Sequence, residues 1–562
     1  MRLYTEMGEF TLPEDFALEM KTNNPVFTSE GSSSSTFSLP ATHENLEAAG
    51  RPDRLSRREA FLNNVECIMQ LGAFQLHGKL IVTSCNSEEI GCCFTYNDGS
   101  LYAAYKDNKL KDILQYVKYY SSTMNMATLA QDTQYEMEHN VLTSNKFARF
   151  PVVVQIAEGL DIMLNMLEDT SDEGGISYGD ILYKARSYTK GDITVNVPEG
   201  YGLTAFPFLH HIIEVIFKTV GRFNIVRNDF SKEPFNHLVL VHPVADLMCK
   251  GNIAYKDVVP DIKLSDFINW LQDKFGAYIT VNDKDVSIII LDEMLSESPA
   301  FDLTPYIDDD LSLEIPDMKH FNIEMDTSLA PAPTANKSDF LNKYGSIQEV
   351  SKVPTKTGIY LHTPTGGIYQ VTNTGIAHNE AFLGYNNFPF SGQFWEPSIG
   401  ETKKTEDKAL GYHQGFTRYH PNPYPLYLGN AVHYNTVIKE EEGEQEHPLM
   451  VAWAYYNGYW TGSVTGVKSD GTVIYPGLNP EGIFSRFWRK YNTLNLNLAP
   501  DASVTVHILA DELRKLDITK PVLIEHNRAI IKSYTYTVSK NGITSGNVTL
   551  MILPNLSNTH EV

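Results

Sequence analysis

The clearest pattern of apolar and polar positions along the chain lies between Val259 and Leu291. Apolar residues recur there at helical spacing and define one face of an amphipathic helix: Leu264, Phe267, Ile268, Leu271 and Phe275. Gly276 is predicted to end this helix, and Ser265 to cap its N-terminus, because a serine hydroxyl can accept from an unpaired amide. AYITV then leads through NDKD into VSIIIL, which predicts a tight β-hairpin.

The same design occurs earlier, in the segment FPFLHHIIEVIFKTVGRFNIV. Its helical face is formed by Phe208, Leu209, Ile212, Ile213, Ile216, Phe217 and Val220. Gly221 is predicted as the C-terminal stop, and RFNIV and HLVLVHPV are predicted strands. Two units of helix, glycine and strand in tandem predict one α+β domain from about Tyr201 to Asp292.

The first 145 or so residues are predicted to be rich in β-structure. EGSSSSTFSLPAT, from Glu30 to Thr42, is a serine-rich loop that enters a strand. KLIVTSC, GCCFTYNDGSLYAAY and the turn Asn97-Asp98-Gly99 indicate a β-hairpin, since Asp-Gly tolerates the positive φ of such turns. A short helix is predicted over Leu110–Tyr119. PVVVQIA is a predicted strand and EDTSDEGG (168–175) an acidic loop, but no topology follows between Pro151 and Pro198.

The second half of the chain begins with a linker, LAPAPTANKSD (329–339), identified by its proline and alanine content. A long aromatic region follows from Gly358 to about Tyr491, with VKSDGTVIYPG as a further hairpin candidate. Its short strands and frequent turns favour a sandwich or barrel. The tail predicts a strand, a short helix and three strands separated by His-Asn-Arg and Lys-Asn-Gly turns, which together form a compact antiparallel module.

The predicted fold class is therefore α+β and predominantly β, with several domains built from antiparallel β-barrel or sandwich modules and small α+β inserts. The predicted division has six parts: an N-terminal β-rich domain (1–150), a connecting β segment (151–200), an α+β domain (201–328), a linker (329–357), an aromatic-rich β domain (358–492) and a C-terminal antiparallel module (493–562).

The net charge of the 562-residue chain is −24. An evenly acidic surface repels phosphate, which argues against nucleic-acid binding by electrostatic attraction; improved solubility is the simpler interpretation. Against this background, RPDRLSRREAF (51–61) is a local basic island, either a solvated turn or a charged contact with a neighbouring subunit. The five cysteines show no CxxC spacing and are predicted to be reduced and mostly buried. We expect no signal peptide and no membrane span.

Known catalytic and ligand-binding motifs are absent from the sequence: no HExxH, GxSxG, P-loop or GxGxxG after a strand. YIDDDLSLE resembles a calcium loop through the spacing of Asp308, Asp310 and Ser312, but Leu313 occupies the position that needs glycine. His210 and His211 point about 100° apart in a helix, so we expect one to pack and one to face solvent.

Four further histidines show no metal-ligand spacing: His413, His420, His433 and His447. A pair of carboxylates for glycoside hydrolysis cannot be found in a sequence, because the two acids usually come from distant strands. We therefore predict no catalytic, cofactor-binding or metal-binding residue, no cofactor and no enzymatic activity.

Three aromatic stretches allow two interpretations: GYNNFPFSGQFWEP (384–397), YHPNPYPLYLGN (419–430) and VAWAYYNGYWTGS (451–463). Their rings could form a platform that stacks on sugars. Aromatic residues are also typical of β-domain cores and of large subunit interfaces, and this interpretation is favoured.

Three segments together resemble a known class. They are FPFLHHIIEVIFKTVGRFNIVRNDF with FNHLVLVHP, then DVVPDIKLSDFINWLQDKFGAYITVNDKDVSIIILDE, and FSRFWRKYNTLNLN with VTVHILADELRKLDITKPVLIEHNRAIIKSYTYTV. In this order they are similar to tail-hub or baseplate proteins of phages and prophages of Bacteroides-like bacteria. The opening FTLPEDFALEMKTNNPVF, followed by FSLPATHENLEAAGRPDR, fits the same layout. The aromatic region has no counterpart in this resemblance.

The resemblance implies a non-enzymatic protein of the virion tail, assembled in the host cytoplasm. It implies a ring of identical copies around the DNA exit channel, bound to other tail proteins, through which DNA passes during genome ejection without specific binding. An acidic channel would let DNA slide. Two alternatives remain open: a carbohydrate-binding or glycan-cleaving protein that uses the aromatic region, and an adhesin-like module, which the expected absence of a signal peptide disfavours.

Overall fold

The computed structural model describes most of the chain. It covers residues 1–553 except 29–30, 57–64, 98–104, 121–124, 143–145, 170–177, 250–252, 283, 310, 315–319, 327, 330–344, 348–355, 363–367, 373–374, 379–399, 414–424, 435–446, 457, 468–472, 476, 479 and 497–498. The predicted linker and the first aromatic stretch therefore lie almost entirely outside the described residues. No helix in the described part is long and apolar enough to cross a membrane.

Strands dominate the described part, in agreement with the predicted class of a mainly β, α+β fold. The first strands are β1 Arg2–Thr5, β2 Gly8–Glu9, β3 Ala17–Asn23, β4 Ser33–Ser34, β5 Phe37–Pro40, β6 Val65–Leu71, β7 Phe74–Cys85, β8 Glu89–Tyr96, β9 Lys118–Tyr120, β10 Phe147–Ala148, β11 Val152–Ala157, β12 Leu160–Leu164, β13 Leu167–Asp169, β14 Tyr178–Ile181, β15 Arg186–Lys190, β16 Ile193–Val197, β17 Phe206–Pro207, β18 Asn224–Asn228, β19 Leu238–Leu240 and β20 Ile253–Ala254.

The remaining strands are β21 Ala277–Asn282, β22 Asp285–Ile290, β23 Phe301–Asp302, β24 Ser312–Glu314, β25 His320–Asp326, β26 Gly345–Ile347, β27 Gly358–His362, β28 Ile368–Thr372, β29 Gly375–His378, β30 Gly400–Lys408, β31 Gly411–Tyr412, β32 Leu426–Asn430, β33 Val451–Tyr456, β34 Trp460–Ser463, β35 Gly466–Val467, β36 Val473–Tyr475, β37 Asp501–Val506, β38 Val522–Ile524, β39 Asn527–Ser539, β40 Gly542–Ile543 and β41 Gly546–Leu553.

The α-helices are short, except for three of 12 or 13 residues. They are α1 His43–Ala48, α2 Leu110–Ile113, α3 Met126–Glu138, α4 Leu209–Gly221, α5 Leu264–Phe275, α6 Leu291–Met294, α7 Pro480–Ile483, α8 Arg489–Leu496 and α9 Ala510–Leu513. A π-helical turn, Phe484–Trp488, joins α7 to α8.

The largest sheet contains strands from both ends of the chain. Its main path runs β2-β1-β6-β7-β8-β4-β3-β39-β41-β37-β24, and β3 pairs antiparallel with β39. One apolar cluster lines it, from Leu3 in β1 to Leu550 in β41. Strands from residues 2–96 and 501–553 therefore share one sheet and one core, whereas β9 and β10 pair in other sheets. The division into six domains stays a prediction.

The α+β unit predicted from about Tyr201 to Asp292 contains a three-stranded sheet. Its order is β18-β22-β21, with β21 and β22 antiparallel, which confirms the predicted hairpin. Helix α5 has the predicted C-terminal end and the predicted buried face, and Gly276 after it adopts the left-handed conformation with φ 58°. This conformation favours glycine because a side chain would be strained there.

Two details of the predicted helix ends are wrong. The N-cap of α5 is Lys263, whose amide donates to Asp266 Oδ2 at 3.3 Å, while Ser265 Oγ donates to the Oδ1 atom of Asp266. Helix α4 includes Gly221 and ends at Arg222, which takes the left-handed conformation. Gly221 serves packing instead, because a Cβ there would lie 2.2 Å from the Phe223 ring.

Tertiary pairing overrides local preference at the predicted helix Leu110–Tyr119. Only its first turn is helical, as α2, and the chain then forms β9, which pairs with β20. PVVVQIA is a strand as predicted, and KLIVTSC pairs antiparallel with GCCFTY. In the tail, the turn before β39 is formed by Glu525 and His526, both with positive φ, one residue earlier than predicted.

Candidate functional site

The three segments that carry the resemblance meet in a cluster of four phenylalanine rings. Phe230 and Phe235 come from the first segment, Phe275 ends helix α5 in the second, and Phe487 belongs to the third. The Phe275 centroid lies 5.3 Å from that of Phe230 and 5.2 Å from that of Phe487, both in edge-to-face arrangements. Phe235 lies 5.5 Å from Phe487. Edge-to-face aromatic pairs add to the stabilisation from burial, so the segments form one packed junction.

Charged side chains beside this phenylalanine cluster bind the third segment to the second. Arg486 donates from Nη1 to Asp292 Oδ2 at 2.8 Å and from Nη2 to Glu293 Oε1 at 2.7 Å. Its guanidinium also lies 4.9 Å from the Phe235 ring centroid. Lys490 Nζ adds a second bond to Asp292 Oδ2 at 3.0 Å. The helix of the third segment is therefore anchored to the end of the second segment by both charge and ring contacts.

A buried ion pair joins the same unit to a strand that lies more than a hundred residues further along the chain. Lys274 Nζ in α5 donates to Asp407 Oδ2 in β30 at 2.6 Å, and each side chain is only 1% exposed. Burial lowers the pKa of Lys274, an effect that the carboxylate partly offsets. A second buried pair, Arg149 with Glu136, joins α3 to the chain that enters β11. Such pairs define a unique docking geometry between elements.

Polar side-chain contacts also hold the N-terminal and C-terminal parts of the chain together. Asn24, fully buried after β3, donates from its side-chain amide to the carbonyl oxygens of Ile518 and Ile531, both at 2.8 Å. The Lys532 ammonium contacts Asp501 Oδ2 at 2.6 Å. The Asn24 contacts fix the register between the first strands and the last strands, because a shifted strand would leave the buried amide without its partners. The Lys532–Asp501 contact joins two of the last strands, β39 and β37.

Three buried histidines, His242, His433 and His447, are internal structural groups. His242 is fully buried, and its Nε2 donates to the Ala205 carbonyl at 3.0 Å. His447 packs against it, with ring centroids 6.0 Å apart, and His433 hydrogen-bonds to the Tyr201 hydroxyl at 2.7 Å. Burial lowers the pKa of His242 to about 4 and that of His447 below its ordinary value. The imidazoles of His242 and His447 are therefore neutral at pH 7.

His210 and His211 differ from the prediction. Both are half-buried, where one was expected inside and one in solvent. His211 Nε2 hydrogen-bonds to the Tyr255 hydroxyl at 2.7 Å, and the ring of His210 stacks on Phe208. Burial lowers the pKa of both imidazoles, that of His211 to about 4. Contacts with Tyr255 and Phe208 help to cover the two rings. The angle between successive residues of a helix does not indicate such contacts.

The buried imidazole of His242 predicts a loss of stability in acid. An unfolded histidine has a pKa of about 6.5, so between pH 6.5 and 4 the unfolded chain binds the proton more tightly than the folded chain. Stability is full above pH 6.5 and falls as the pH drops towards 4, by about 3 kcal/mol for this residue. Urea unfolding of wild type and of His242→Gln across this range isolates the effect.

The expected result for His242→Gln is lower stability at pH 7 together with a smaller loss on acidification. The difference in unfolding free energy between the two proteins should therefore narrow by about 2–3 kcal/mol between pH 7 and pH 4.5. If wild type and His242→Gln lost the same unfolding free energy between pH 7 and pH 4.5, the assignment of a lowered pKa to the His242 imidazole would be contradicted.

The other candidate residues do not form a reactive site. In the described part of the chain, no group of three His, Cys, Asp or Glu side chains is arranged to hold a metal ion. His413 pairs with Asp161 at 3.3 Å, and His420 lies outside the described residues. Ser312 and Leu313 of the acidic run form strand β24, while Asp310 also lies outside. All five cysteines are free, but only Cys67 and Cys92 are buried; the other three are half-buried, which corrects the prediction of mostly buried thiols.

The aromatic stretches are described only in part. The first, residues 384–397, lies outside the described residues, and the second is described only from Pro425. The third forms the hairpin β33–β34, where Trp453 is fully buried and Trp460 is 5% exposed. These two rings therefore belong to the core, in agreement with the favoured interpretation for this stretch, while Tyr456 and Tyr459 are half-buried.

Two surface features carried no assignment from the sequence. One is the isolated hairpin β15–β16, and the other is the edge strand β24. The sequence could have predicted the hairpin, because Gly191-Asp192 lies between two alternating runs, RSYTK and ITVNV. The basic island is described from Arg51 to Ser56, where Arg54 and Leu55 are exposed, and its contact with a neighbouring subunit stays a prediction.

Comparison with solved structures returns phage tail proteins at low similarity. A 43 kDa tail protein of prophage MuSo2 from Shewanella oneidensis has 8% identity and a TM-score of 0.26, covering 98% of both chains. A tail protein from Neisseria meningitidis MC58 has 8% identity and a TM-score of 0.29, covering 98% of this chain and 95% of that one. Prophage tail protein gp18 from Listeria monocytogenes EGD-e has 9% identity and a TM-score of 0.31, covering 98% and 94%.

TM-scores of this size do not establish a common fold. No protein-family model matches the chain, and no curated protein matches it either.

Proposed function

We propose that this protein is a non-enzymatic structural component of a phage tail. In this role, identical copies form a hub or baseplate ring around the DNA exit channel and attach other tail proteins. The observation that carries the proposal is the convergence of the three segments resembling tail-hub proteins on one phenylalanine cluster. Segments separated by more than two hundred residues in sequence thus form one packed unit, as expected if they were retained together for a common architecture.

The internal polar contacts support a mechanical role. Lys274–Asp407, Arg486–Asp292 and the buried Asn24 each join elements that are distant in sequence. A protein that transmits force needs its modules fixed relative to one another, and buried paired groups provide this because displacement would expose unpaired charges to a low-dielectric interior. The largest sheet adds backbone hydrogen bonds between the first and last strands.

The net charge of −24 fits the passage of DNA without binding. A channel lined by carboxylates repels phosphates and removes the electrostatic attraction that would retain the duplex. A ring whose inner wall was neutral or basic would contradict this part of the proposal while leaving the structural role intact.

The test of the proposal is the assembly state of the purified full chain. Multi-angle light scattering together with electron microscopy is expected to show closed rings, or a concentration-dependent assembly of several copies. A monodisperse monomer across the micromolar range would contradict the ring. Polysaccharide cleavage by that monomer would favour the glycan alternative. In phage particles, a label on the chain should be located at the tail end.

A further inference from the structure

A two-stranded hairpin, Arg186–Val197, here named the arm, forms a sheet of its own. Strands β15 and β16 pair with each other through five residue pairs, and among the described residues neither strand has a second partner. Gly191 and Asp192 form the two-residue turn, with Gly191 at φ 60° as the first central position of a type II′ turn requires. The arm therefore presents two open backbone edges, a state that is marginally stable in water without further packing.

The two faces of the arm differ in polarity. One face is a ladder of hydrogen-bonded polar side chains, with Ser187 bonded to Asn196 at 2.5 Å and Thr189 to Thr194 at 3.1 Å. The other face carries the apolar residues Tyr188, Ile193, Val195 and Val197, with Arg186 beside Val197 and Lys190 beside Ile193. Its burial decreases from base to tip, from the buried Val197 through the half-buried Val195 to Ile193, which is 38% exposed. The apolar face therefore extends beyond the core that supports its base.

The edge strand β24, Ser312–Glu314, here named the acceptor edge, ends the main path of the largest sheet. Leu313 lies directly opposite Ala502 of β37, which is buried in the second-largest part of the core. Opposite residues of an antiparallel pair point to the same face, so Leu313 continues the core face beyond the last strand. It is nevertheless 59% exposed. A further strand would cover it and would also pair the outer backbone groups of the edge.

The arm and the acceptor edge share the same alternation of polar and apolar residues, and they carry opposite charges. Ser312-Leu313-Glu314 alternates polar and apolar residues with the same period as Ser187-Tyr188-Thr189 and Thr194-Val195-Asn196. Strand addition would therefore continue one apolar face and one polar face at once. Residues 184–197 hold three basic residues and one acidic residue, while three exposed residues beside and within the acceptor edge are acidic: Asp308, Asp309 and Glu314.

We propose that the arm of one copy of this chain docks by strand addition on the acceptor edge of a second copy. The inference rests on the proposed homo-oligomer and names the surfaces that build it. Because the arm and the acceptor edge are different surfaces, the contact is head-to-tail, and repeating it generates a ring when the rotation closes. Every copy then contributes one arm and receives another.

Ile193→Asp and Leu313→Asp test the two surfaces separately. Both positions are exposed in the single chain, so each variant should keep its thermal unfolding midpoint. Each is expected to raise the protein concentration needed for half-assembly at least about tenfold, because a charge would be placed in an apolar contact. Val226→Asp is the matched control, since Val226 is 60% exposed on another edge strand, β18. It should assemble like wild type.

Mixing the two variants gives a decisive result. The Ile193→Asp chain keeps an intact acceptor edge and the Leu313→Asp chain keeps an intact arm, so an equimolar mixture can form one contact per pair. Light scattering should show 1:1 heterodimers that do not grow into rings. A charge exchange provides a second test: Lys190→Glu and Glu314→Lys should each weaken assembly, and the double variant should recover part of it.

The outcomes separate this inference from the proposed function. If wild type assembles and both aspartate variants assemble at the same concentration, the arm contact is wrong and the ring stands. If only Val226→Asp prevents assembly, the contact lies on another edge and the inference is also overturned. If wild type is monomeric throughout, the proposed homo-oligomer itself fails. Monomeric single variants that form heterodimers on mixing would support the head-to-tail contact.

Discussion

Replacing Phe267 with Asp is expected to lower the free energy of unfolding by more than about 4 kcal/mol and to yield mostly insoluble or non-assembling protein. Phe267 is fully buried in helix α5, with its ring 5.6 Å from that of Trp270. The substitution removes an aromatic ring from the core and leaves a carboxylate there without a partner. Leu271→Asp, on the same buried face, should have a similar effect. The soluble fraction and urea unfolding of the remainder are the measurements.

A matched control separates the burial of charge from an effect on the helix itself. Asn269→Asp introduces the same carboxylate into the same helix at an exposed position, and should change stability by less than about 0.5 kcal/mol. Phe267→Leu keeps the site apolar and should unfold reversibly with a loss of about 1 kcal/mol. Normal solubility and assembly of Phe267→Asp would mean that this face of the helix is not in the core.

Helix α5 also shows how much of the fold the sequence can predict. Its glycine stop and the face from Leu264 to Phe275 follow from local rules, because helical spacing and turn chemistry act over a few residues. Trp270 and Lys274 are just as buried as this face, and no local pattern indicates it. Lys274 is covered by Asp407 of β30, and Trp488 Nε1 donates to the neighbouring Asp273 carbonyl, so both partners are far away in sequence. A lysine at a helix end is usually exposed, so only the tertiary partner explains its burial.

Long-range pairing accounts for the remaining differences. The tail of the chain was predicted correctly as strands and a short helix, but no rule of spacing indicates that β39 would pair with β3, some five hundred residues earlier. The second half of the predicted helix Leu110–Tyr119 is not helical for the same reason: the pairing of β9 with β20 outweighs the local preference for helix. The phenylalanine junction likewise depends on contacts between segments. The resemblance identified these segments, but not the fact that they touch.

Removing one partner of the buried pair Lys274–Asp407 is expected to cost about 3–5 kcal/mol. In Lys274→Met, the Asp407 carboxylate stays buried with its positive partner gone. In Asp407→Leu, the ammonium is left in an apolar environment, which disfavours its charged form. Urea unfolding at pH 7 measures both losses. Because an unpaired buried lysine releases its proton more readily than an unfolded one, the loss in Asp407→Leu should shrink as the pH is raised towards 9.

Two further variants show that the loss arises from the unpaired charge. The double variant Lys274→Met/Asp407→Leu removes both charges and should lie within about 1 kcal/mol of wild type or above it, since apolar replacements avoid the desolvation cost of the pair. Lys218→Met breaks an exposed pair with Glu214 at 2.9 Å, and should cost less than about 0.5 kcal/mol. If the loss in the double variant equalled the sum of the two single losses, the coupling energy between Lys274 and Asp407 would be zero. The losses in the single variants would then not arise from the unpaired charge, and the pairing would contribute nothing to the junction between α5 and β30.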